Sequence, residues 1–170
     1  MIDLQKIKDI SVSPNLIQFA EYLVQEKGDA QYPNYKKLDL MKVYSLVSNI
    51  WAFDFRAGIT DGMPFCFSGT KIDEQYGFCV TGKCIEDCYT GKYVKPLFDE
   101  SYRQVYLQKK IAYTSRHDDY MTDKIERHRH VETLLFPCSE DGETINYAVG
   151  ISSFTDCSFD SADKPIFTTL

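Results

Sequence analysis

One pair of cysteines has a spacing that could support chemistry. Cys84 and Cys88 stand four residues apart, so one face of a helix would present both thiols. Two sulfurs are half of a zinc site, but no nearby Cys-x-x-Cys or Cys/His pair completes it. We therefore predict no metal site and interpret the two cysteines as buried, apolar side chains.

Histidines offer acid-base or ligand chemistry at His117, His128 and His130, which could also bind haem or sense pH. A strand end crowded with charge instead favours a solvated edge for His128 and His130. Catalysis would need a titratable pair, such as Asp54 with His130, and strand alternation puts Asp54 on the wrong face. The sequence shows no triad signature, nucleophile elbow or phosphate loop, so we predict that the protein is not an enzyme.

Aromatic residues alternate with small or charged ones at residues 51–56 and 65–68, which is typical of half-buried strands. The interpretation of these rings as ordinary core stays open. Four small residues on facing strands could leave a void for a ligand: Ala112, Thr133, Ala148 and Gly150. The predicted ligand-binding residues are Trp51, Phe53, Phe65, Phe67, Cys84, Cys88, Phe98, Tyr113, Thr133, Leu135, Tyr147 and Val149.

Helical elements precede and follow these strands. Ser13 and Pro14 begin a helix that Gly28 ends, with a broad apolar stripe between them. Asp39 can cap a shorter helix that reaches Val47. The remaining predicted helices are residues 71–76, 83–89 and 94–110.

Three further strands complete the pattern, at residues 111–115, 130–136 and 145–151. Residues 116–124 are predicted to form a charged loop. The polar break at residues 139–144 contains Asp141-Gly142, a signal for a hairpin turn, and Pro137 marks a strand end or an edge. Five antiparallel strands with the helices inserted after the second predict an α+β domain with one face of the sheet covered.

The length and net charge of the chain limit the classes of function. A chain of 170 residues forms one domain, and a net charge of −6 argues against a nucleic-acid-binding surface. No segment resembles a signal peptide or a membrane helix, so we predict a cytoplasmic protein with free thiols and no membrane contact. We divide the chain into an N-terminal helical extension (1–47), a central domain (48–155) and a loose C-terminal tail (156–170).

Short motifs in the centre of the chain resemble a family. Gly69-Thr70, with Gly77, Thr81 and Gly82, is similar to the Gly-Thr and Gly-Arg-Asp-Leu-Thr-Gly segments of a bacterial, stand-alone PAS-like family. Phe78 and Cys79 replace the usual Arg and Asp. The segment 137–142 resembles the Pro-Leu-Ser-Asp-Asp-Gly turn of that family, and Gly150 matches a glycine in its last strand.

The resemblance to PAS domains implies a PAS-like five-stranded antiparallel sheet and a cavity between sheet and short helices. Lys83-Cys84-Ile85 lacks the Asn, Arg and Gln that surround the flavin-reactive cysteine of light-sensing relatives, and the sequence names no cofactor. We expect a sensory domain that binds a small, largely apolar or aromatic ligand. The alternative is a ligand-free interaction or dimerisation module.

The predicted partners are an unknown signalling protein and a second copy of the chain. The apolar stripe of residues 14–27 is broader than one small sheet needs, so we predict a homodimer through this helix. The other interpretation is that the helix folds back across its own sheet.

Overall fold

The computed structural model describes residues 2–122, 125–157 and 164–170 of the chain. One sheet of six antiparallel strands runs through it, in the order β2-β1-β5-β4-β3-β6. The strands are β1 (Ile50–Asp54), β2 (Phe65–Ser68), β3 (Ala112–Thr122), β4 (Ile125–Ser139), β5 (Ile145–Cys157) and β6 (Ile166–Thr169). The helices are α1 (Leu4–Ile10), α2 (Pro14–Lys27), α3 (Thr70–Tyr76), α4 (Ile85–Cys88), α5 (Val94–Leu97) and α6 (Arg103–Leu107).

The predicted fold class is confirmed, because α3 to α6 are inserted between the second and third strands of an antiparallel sheet. The five predicted strands lie in the order β2-β1-β5-β4-β3. A sixth strand extends the sheet, since Ile166–Thr169 pairs with the first four residues of β3, Ala112–Ser115. The expectation of a loose tail over residues 156–170 is therefore wrong at Ile166–Thr169. Residues 158–163 of that tail lie outside the described residues.

The two faces of the sheet carry separate hydrophobic cores. The inner face, which α3 to α6 cover, collects Trp51, Phe53 and Phe65 with helix residues such as Leu97 and Tyr102. The outer face packs against α1, α2 and the 3-10 helix Leu40–Asn49. The prediction that helices cover one face was incomplete, because the N-terminal helices cover the second one.

Helix α2 has the predicted bounds and begins with Pro14 at its first turn. Its apolar side chains Leu16, Phe19 and Leu23 are fully buried, and the Phe19 ring lies 6.1 Å from that of Phe136 on β4. The helix thus folds back across its own sheet. The stripe that suggested a homodimer is already covered, so a dimer through residues 14–27 would have to use another side of the helix.

Local sequence explains the hairpin between β4 and β5. Asp141 accepts hydrogen bonds from the backbone N–H groups of Glu143 and Thr144, and Gly142 takes the positive φ of 85° that the turn requires. Pro137 lies inside β4 opposite Ala148, two residues past Leu135, which pairs with the first residue of β3, Ala112. Its missing donor is tolerated because that side of β4 is an edge, which was one of the two predicted options.

Two elements differ from their predictions. The helix expected over residues 94–110 is interrupted by a π-helical turn at Phe98–Tyr102, so α5 and α6 are short. The loop expected over residues 116–124 is instead the continuation of β3 as far as Thr122, with residues 123–124 outside the described part. Strands β3 and β4 therefore form a long hairpin that reaches beyond the rest of the sheet.

Within the described ranges, no helix is long and apolar enough to cross a membrane. The division into segments 1–47, 48–155 and 156–170 stays a prediction.

Candidate functional site

The space predicted for a ligand, at the centre of the inner face, is filled by aromatic rings. The Trp51 and Phe53 ring centroids lie 4.9 Å apart, and those of Phe53 and Phe65 also lie 4.9 Å apart. The Tyr102 ring is tilted against Trp51, with the centroids 5.4 Å apart. A cavity of about 30 Å³ remains beside these rings, which is room for a single water molecule. The rings at this position act chiefly as core.

Gly150 shows why the predicted void is absent. A Cβ atom added to this residue would come 2.6 Å from the Trp51 ring. The Trp51 indole N–H donates to the Ser152 hydroxyl at 2.9 Å, and the Thr133 and Ser152 hydroxyls lie 3.0 Å apart. The small residue at 150 therefore makes room for the indole of the same protein rather than for a ligand.

Alternation along the strands separates the predicted ligand-binding residues into two groups. Those on the inner face are Trp51, Phe53, Phe65, Cys88, Phe98, Thr133 and Leu135. Those on the outer face, in the core beneath the N-terminal helices, are Phe67, Tyr113, Tyr147 and Val149. The last, Cys84, is the N-cap of α4, with its thiol beside the Asp61 carbonyl. A single site containing the whole set is therefore not formed.

Phe67 is the instructive case, because it was expected on the same face as Phe65. The pairing of β1 with β2 shifts register between Ala52 and Phe53, so Phe65 lies opposite Phe53 and Phe67 opposite Ala52. Such an irregularity re-aims side chains that simple alternation would keep together. The consequence is that Phe67 joins the outer core.

A larger concavity lies at the edge of the inner face, and we call it the Arg116 groove. It encloses about 320 Å³ between the C-terminal end of α3, the loop that follows α4, and β3. Its lining residues are Gln75, Tyr76, Gly77, Phe78, Cys88, Tyr89, Thr90, Gly91, Arg116, Asp118 and Asp119. The volume is at the lower end of the range for small-molecule sites. Of the residues predicted to bind ligand, Cys88 lies in this groove.

A buried ion pair forms the floor of the groove. Arg116 donates from Nε to Asp118 at 2.7 Å, and the two side chains are only 7% and 6% exposed. The Tyr89 hydroxyl donates to the other Asp118 oxygen at 3.0 Å, and the Arg116 guanidinium lies 5.8 Å from the centre of the Tyr89 ring. Burial opposes the charge of Arg116, but Asp118 outweighs it, and the pKa of Arg116 is raised. The guanidinium therefore stays charged at every physiological pH.

Two donor groups in the groove remain available to a ligand. Arg116 uses Nε for Asp118 and Nη1 for Thr114 at 3.1 Å, and no acceptor for Nη2 is found in the part of the chain that the structure describes. Likewise, no hydrogen bond joins the Tyr76 hydroxyl to another described residue. Burial raises the pKa of Tyr76, as it does that of Tyr89, so both hydroxyls keep their protons at neutral pH.

Gly91 lets the loop close onto the sheet. A Cβ atom at this position would lie 2.2 Å from the Tyr89 hydroxyl oxygen, so any side chain would displace the hydroxyl that bonds to Asp118. The Tyr89 ring packs 5.7 Å from Phe98 of the π-helical turn. The groove wall is thereby fixed to both the sheet and the helices.

Sequence reasoning missed Arg116 and Asp118 because it assigned both to a charged loop. A signal was present in the alternation of β3: Thr114, Arg116 and Asp118 fall on one face, and Tyr113, Ser115 and His117 on the other. The charges obscured this period of two. Tyr76 and Tyr89 carry no motif and reach the groove only through tertiary packing.

The other candidate residues do not converge on a reacting centre. Asp54 pairs with Arg56, which lowers the pKa of its carboxyl, whereas His130 contacts the Ser115 hydroxyl at 2.7 Å. The pair that catalysis would need is therefore not brought together. Over the described residues, no cluster of three His, Cys, Asp or Glu side chains could hold a metal ion. Burial raises the pKa of the Cys88 thiol, which disfavours the reactive thiolate.

No protein-family model matches the sequence, and no curated protein matches it. Among solved structures, the chain is similar to a light-oxygen-voltage domain studied with a flavin analogue, at 15% identity over 72% of this chain and 87% of that one, with a TM-score of 0.47. It is similar to the LOV domain of the blue-light activated histidine kinase EL346 from Erythrobacter litoralis, at 14% identity, 64% and 95% coverage, and a TM-score of 0.43.

It is also similar to the PAS domain of Bordetella pertussis BvgS, at 14% identity, with 72% of this chain and 90% of that chain covered and a TM-score of 0.37. These likenesses are distant, with 14–15% identity and TM-scores below 0.5. This chain has a PAS-like fold, extended by one strand and by an N-terminal helical layer.

Proposed function

We propose that this protein is a PAS-like sensory domain that binds a small molecule in the Arg116 groove and transmits the event through contacts with a partner. The observation that carries the proposal is a guanidinium held almost fully inside a cavity of about 320 Å³ with one nitrogen left to bond a ligand. Buried charge placed in a concave site is a common mark of a functional site. The proposal involves binding and no catalysis.

The ligand would be small and partly aromatic in character. Tyr76, Phe78 and Tyr89 line the groove, and flat rings of this kind pack well against planar ligands. Phe78 is 45% exposed, which is high for a large apolar side chain, and a bound molecule would cover part of it. We therefore propose a largely apolar or aromatic ligand that also accepts a hydrogen bond from Arg116.

A route for transmission leads from the groove to the N-terminal helices. Arg116 and Asp118 belong to β3, as does Tyr113 on the opposite face. The Tyr113 hydroxyl donates to Glu132 at 3.0 Å, and the same Glu132 oxygen accepts from the Val12 backbone N–H at 3.1 Å, between α1 and α2. Movement of β3 on ligand binding would therefore act on the helical layer.

Partner contacts through that layer are part of the proposal. Val12, Met41 and Tyr44 are 82%, 75% and 74% exposed, although they are large apolar residues. These residues flank residues 14–27 in the sequence, and a second copy of the chain or a signalling partner would make its contacts here rather than on the buried stripe of α2. We also propose a cytoplasmic setting, which the six free thiols support because such an environment is reducing.

Native mass spectrometry of the protein purified from cells tests ligand binding. We expect a copurified small molecule in the wild-type protein and its loss in Thr90→Trp, where the indole would occupy the groove. Thr60→Trp, at an exposed position in the loop between β1 and β2, serves as the matched control and should retain the molecule. A mass without ligand in all three proteins would contradict the proposal.

A second candidate function is a ligand-free interaction module. It is favoured by the filled inner core, in which Trp51, Phe53 and Tyr102 leave a cavity of only about 30 Å³. In that case the groove would be a surface feature, no copurified molecule would be found with any of the three proteins, and Thr90→Trp would leave partner binding unchanged.

A further inference from the structure

We propose that the Arg116 groove selects a neutral, planar ligand that presents a carbonyl oxygen to Arg116, in preference to a carboxylate or an ammonium compound. This inference rests on the proposed function and names the ligand class of the same site. It follows from three features of the groove: hydrogen-bond donors without a protein acceptor in the described part of the chain, a positive charge that Asp118 already balances, and walls formed by aromatic rings.

The unused groups are hydrogen-bond donors. Arg116 Nη2 and the Tyr76 hydroxyl have no partner among the residues described, and both belong to side chains that line the groove. The Asp118 carboxylate beside them, in contrast, is engaged: one of its oxygens accepts from Arg116 Nε and the other from the Tyr89 hydroxyl. The group of the ligand that meets Arg116 must therefore be an acceptor.

The charge of Arg116 is already balanced. Asp118 lies 2.7 Å from Arg116 Nε in a site that excludes most water. A ligand carboxylate on Nη2 would gain attraction to the guanidinium, lose most of it to repulsion from Asp118, and give up its own hydration. A carbonyl oxygen keeps the hydrogen bond without adding a third charge, so it is favoured over the carboxylate.

An ammonium ligand is disfavoured by the same arrangement. Asp118 already serves Arg116 and Tyr89, and Asp119 is paired with His128 at 2.6 Å. A cation in the groove would also face the Arg116 guanidinium. What remains is a neutral molecule, and the rings of Tyr76, Phe78 and Tyr89 favour a flat, aromatic one.

Titration calorimetry with a matched pair of probes, 2-naphthamide and 2-naphthoate, tests the inference. The two molecules have the same ring system and differ in the charge of the group that would meet Arg116. We expect the amide to bind at least tenfold more tightly than the carboxylate. Equal affinity, or tighter binding of the carboxylate, would overturn the inference.

Three variants identify the group that makes the contact. Arg116→Lys keeps the positive charge beside Asp118 but removes Nη2, and should weaken 2-naphthamide at least tenfold. Tyr76→Phe leaves the ion pair intact and should weaken the binding of 2-naphthamide about threefold to tenfold. This second variant keeps the test decisive even if Arg116→Lys does not fold. Arg103→Lys, whose guanidinium pairs with Glu86 outside the groove, is the control and should change the affinity by less than twofold.

Failure of this inference is separable from failure of the proposed function. If neither naphthalene compound binds while Thr90→Trp still displaces a copurified molecule, the inferred ligand class is wrong, whereas the proposed sensory function is supported. If Arg116→Lys and Tyr76→Phe both leave the amide affinity unchanged, the amide binds elsewhere and the inference also fails.

Discussion

Removing one partner of the buried ion pair should be among the most damaging single changes in this protein. In Arg116→Met, Asp118 would keep only the Tyr89 hydroxyl while remaining about 5% exposed. Leaving one charge of a buried pair uncompensated costs about 3–5 kcal/mol. Since domains of this size are stable by about 5–15 kcal/mol, the variant would lose a large part of its free energy of unfolding.

The double variant Arg116→Met, Asp118→Leu separates the charge from the packing. Both charges are gone, and the apolar side chains fill a similar space against Tyr76 and Tyr89. Replacement of a buried pair by apolar residues is often neutral or stabilising, by about 1–4 kcal/mol. The Tyr89 and Thr114 hydroxyls lose a partner, which costs roughly 1 kcal/mol each. We therefore expect the double variant to be within about 2 kcal/mol of wild type.

Urea unfolding at pH 7, followed by the fluorescence of Trp51, measures these changes, because Trp51 is the single tryptophan and is 3% exposed in the inner core. Arg56→Met is the matched control. Arg56 also pairs with an aspartate, Asp54, but its side chain is 57% exposed. The loss of this pair should lower the free energy of unfolding by less than about 1 kcal/mol. The reasoning is refuted if Arg116→Met costs under about 1 kcal/mol, or if the double variant is as unstable as Arg116→Met.

Three further predictions concern the backbone, pH and the thiols. Gly69→Ala places a Cβ atom 2.2 Å from the Val47 carbonyl oxygen and should cost about 1–3 kcal/mol by urea unfolding; a loss below about 0.5 kcal/mol would contradict it. Hydrogen bonds from Thr144 and Glu143 lower the pKa of Asp141, so its stabilisation is present above about pH 4 and is lost as the pH falls through its lowered folded value. Asp141→Asn should therefore reduce the melting temperature at pH 7 and progressively less below pH 4, and a pH-independent difference would exclude this explanation. Iodoacetamide at pH 8 should label the exposed Cys79 before Cys88 and Cys138, whose thiol pKa values burial raises; mass spectrometry showing Cys138 modified first in the folded protein would count against the buried placement.

Elements that depend on neighbouring residues were predicted well. The helix from Pro14 to Lys27 follows from a proline at its first turn and a glycine at its end, and the β4–β5 hairpin follows from Asp141-Gly142. In both cases the interactions that decide the structure join residues a few positions apart. The resemblance to a PAS-like family supplied the topology that joins these elements.

The lengths of β3 and β4 were underestimated because charge was taken as a sign of a loop. Arg116 and Asp118 are buried in the structure, and they are compatible with a strand only because each balances the other. The cover that buries them comes from Tyr76 and Tyr89, about 30 to 40 residues earlier in the chain. The local sequence pattern of β3 does not indicate that Tyr76 and Tyr89 pack over these charged residues.

The ligand site was misplaced for a related reason. The sequence marks which residues of a strand share a face, and this parity already separates Ala148 and Gly150 from Tyr147 and Val149. It does not show that the Trp51 indole lies over Gly150, nor that a register shift turns Phe67 to the outer core. These outcomes depend on how rings from several strands fill one volume.

The α+β class, the succession of five strands along the chain and the helix Pro14–Lys27 could be read from the sequence, because periodicity, caps and turns act over a few residues. Three features required the folded structure: the face of the sheet that the N-terminal helices cover, the strand with which Ile166–Thr169 pairs, and the space that the inner rings leave. The folded structure also placed the guanidinium of Arg116 against Asp118 and Tyr89 in a groove. Packing and charge compensation join residues distant in sequence, and no local pattern encodes them.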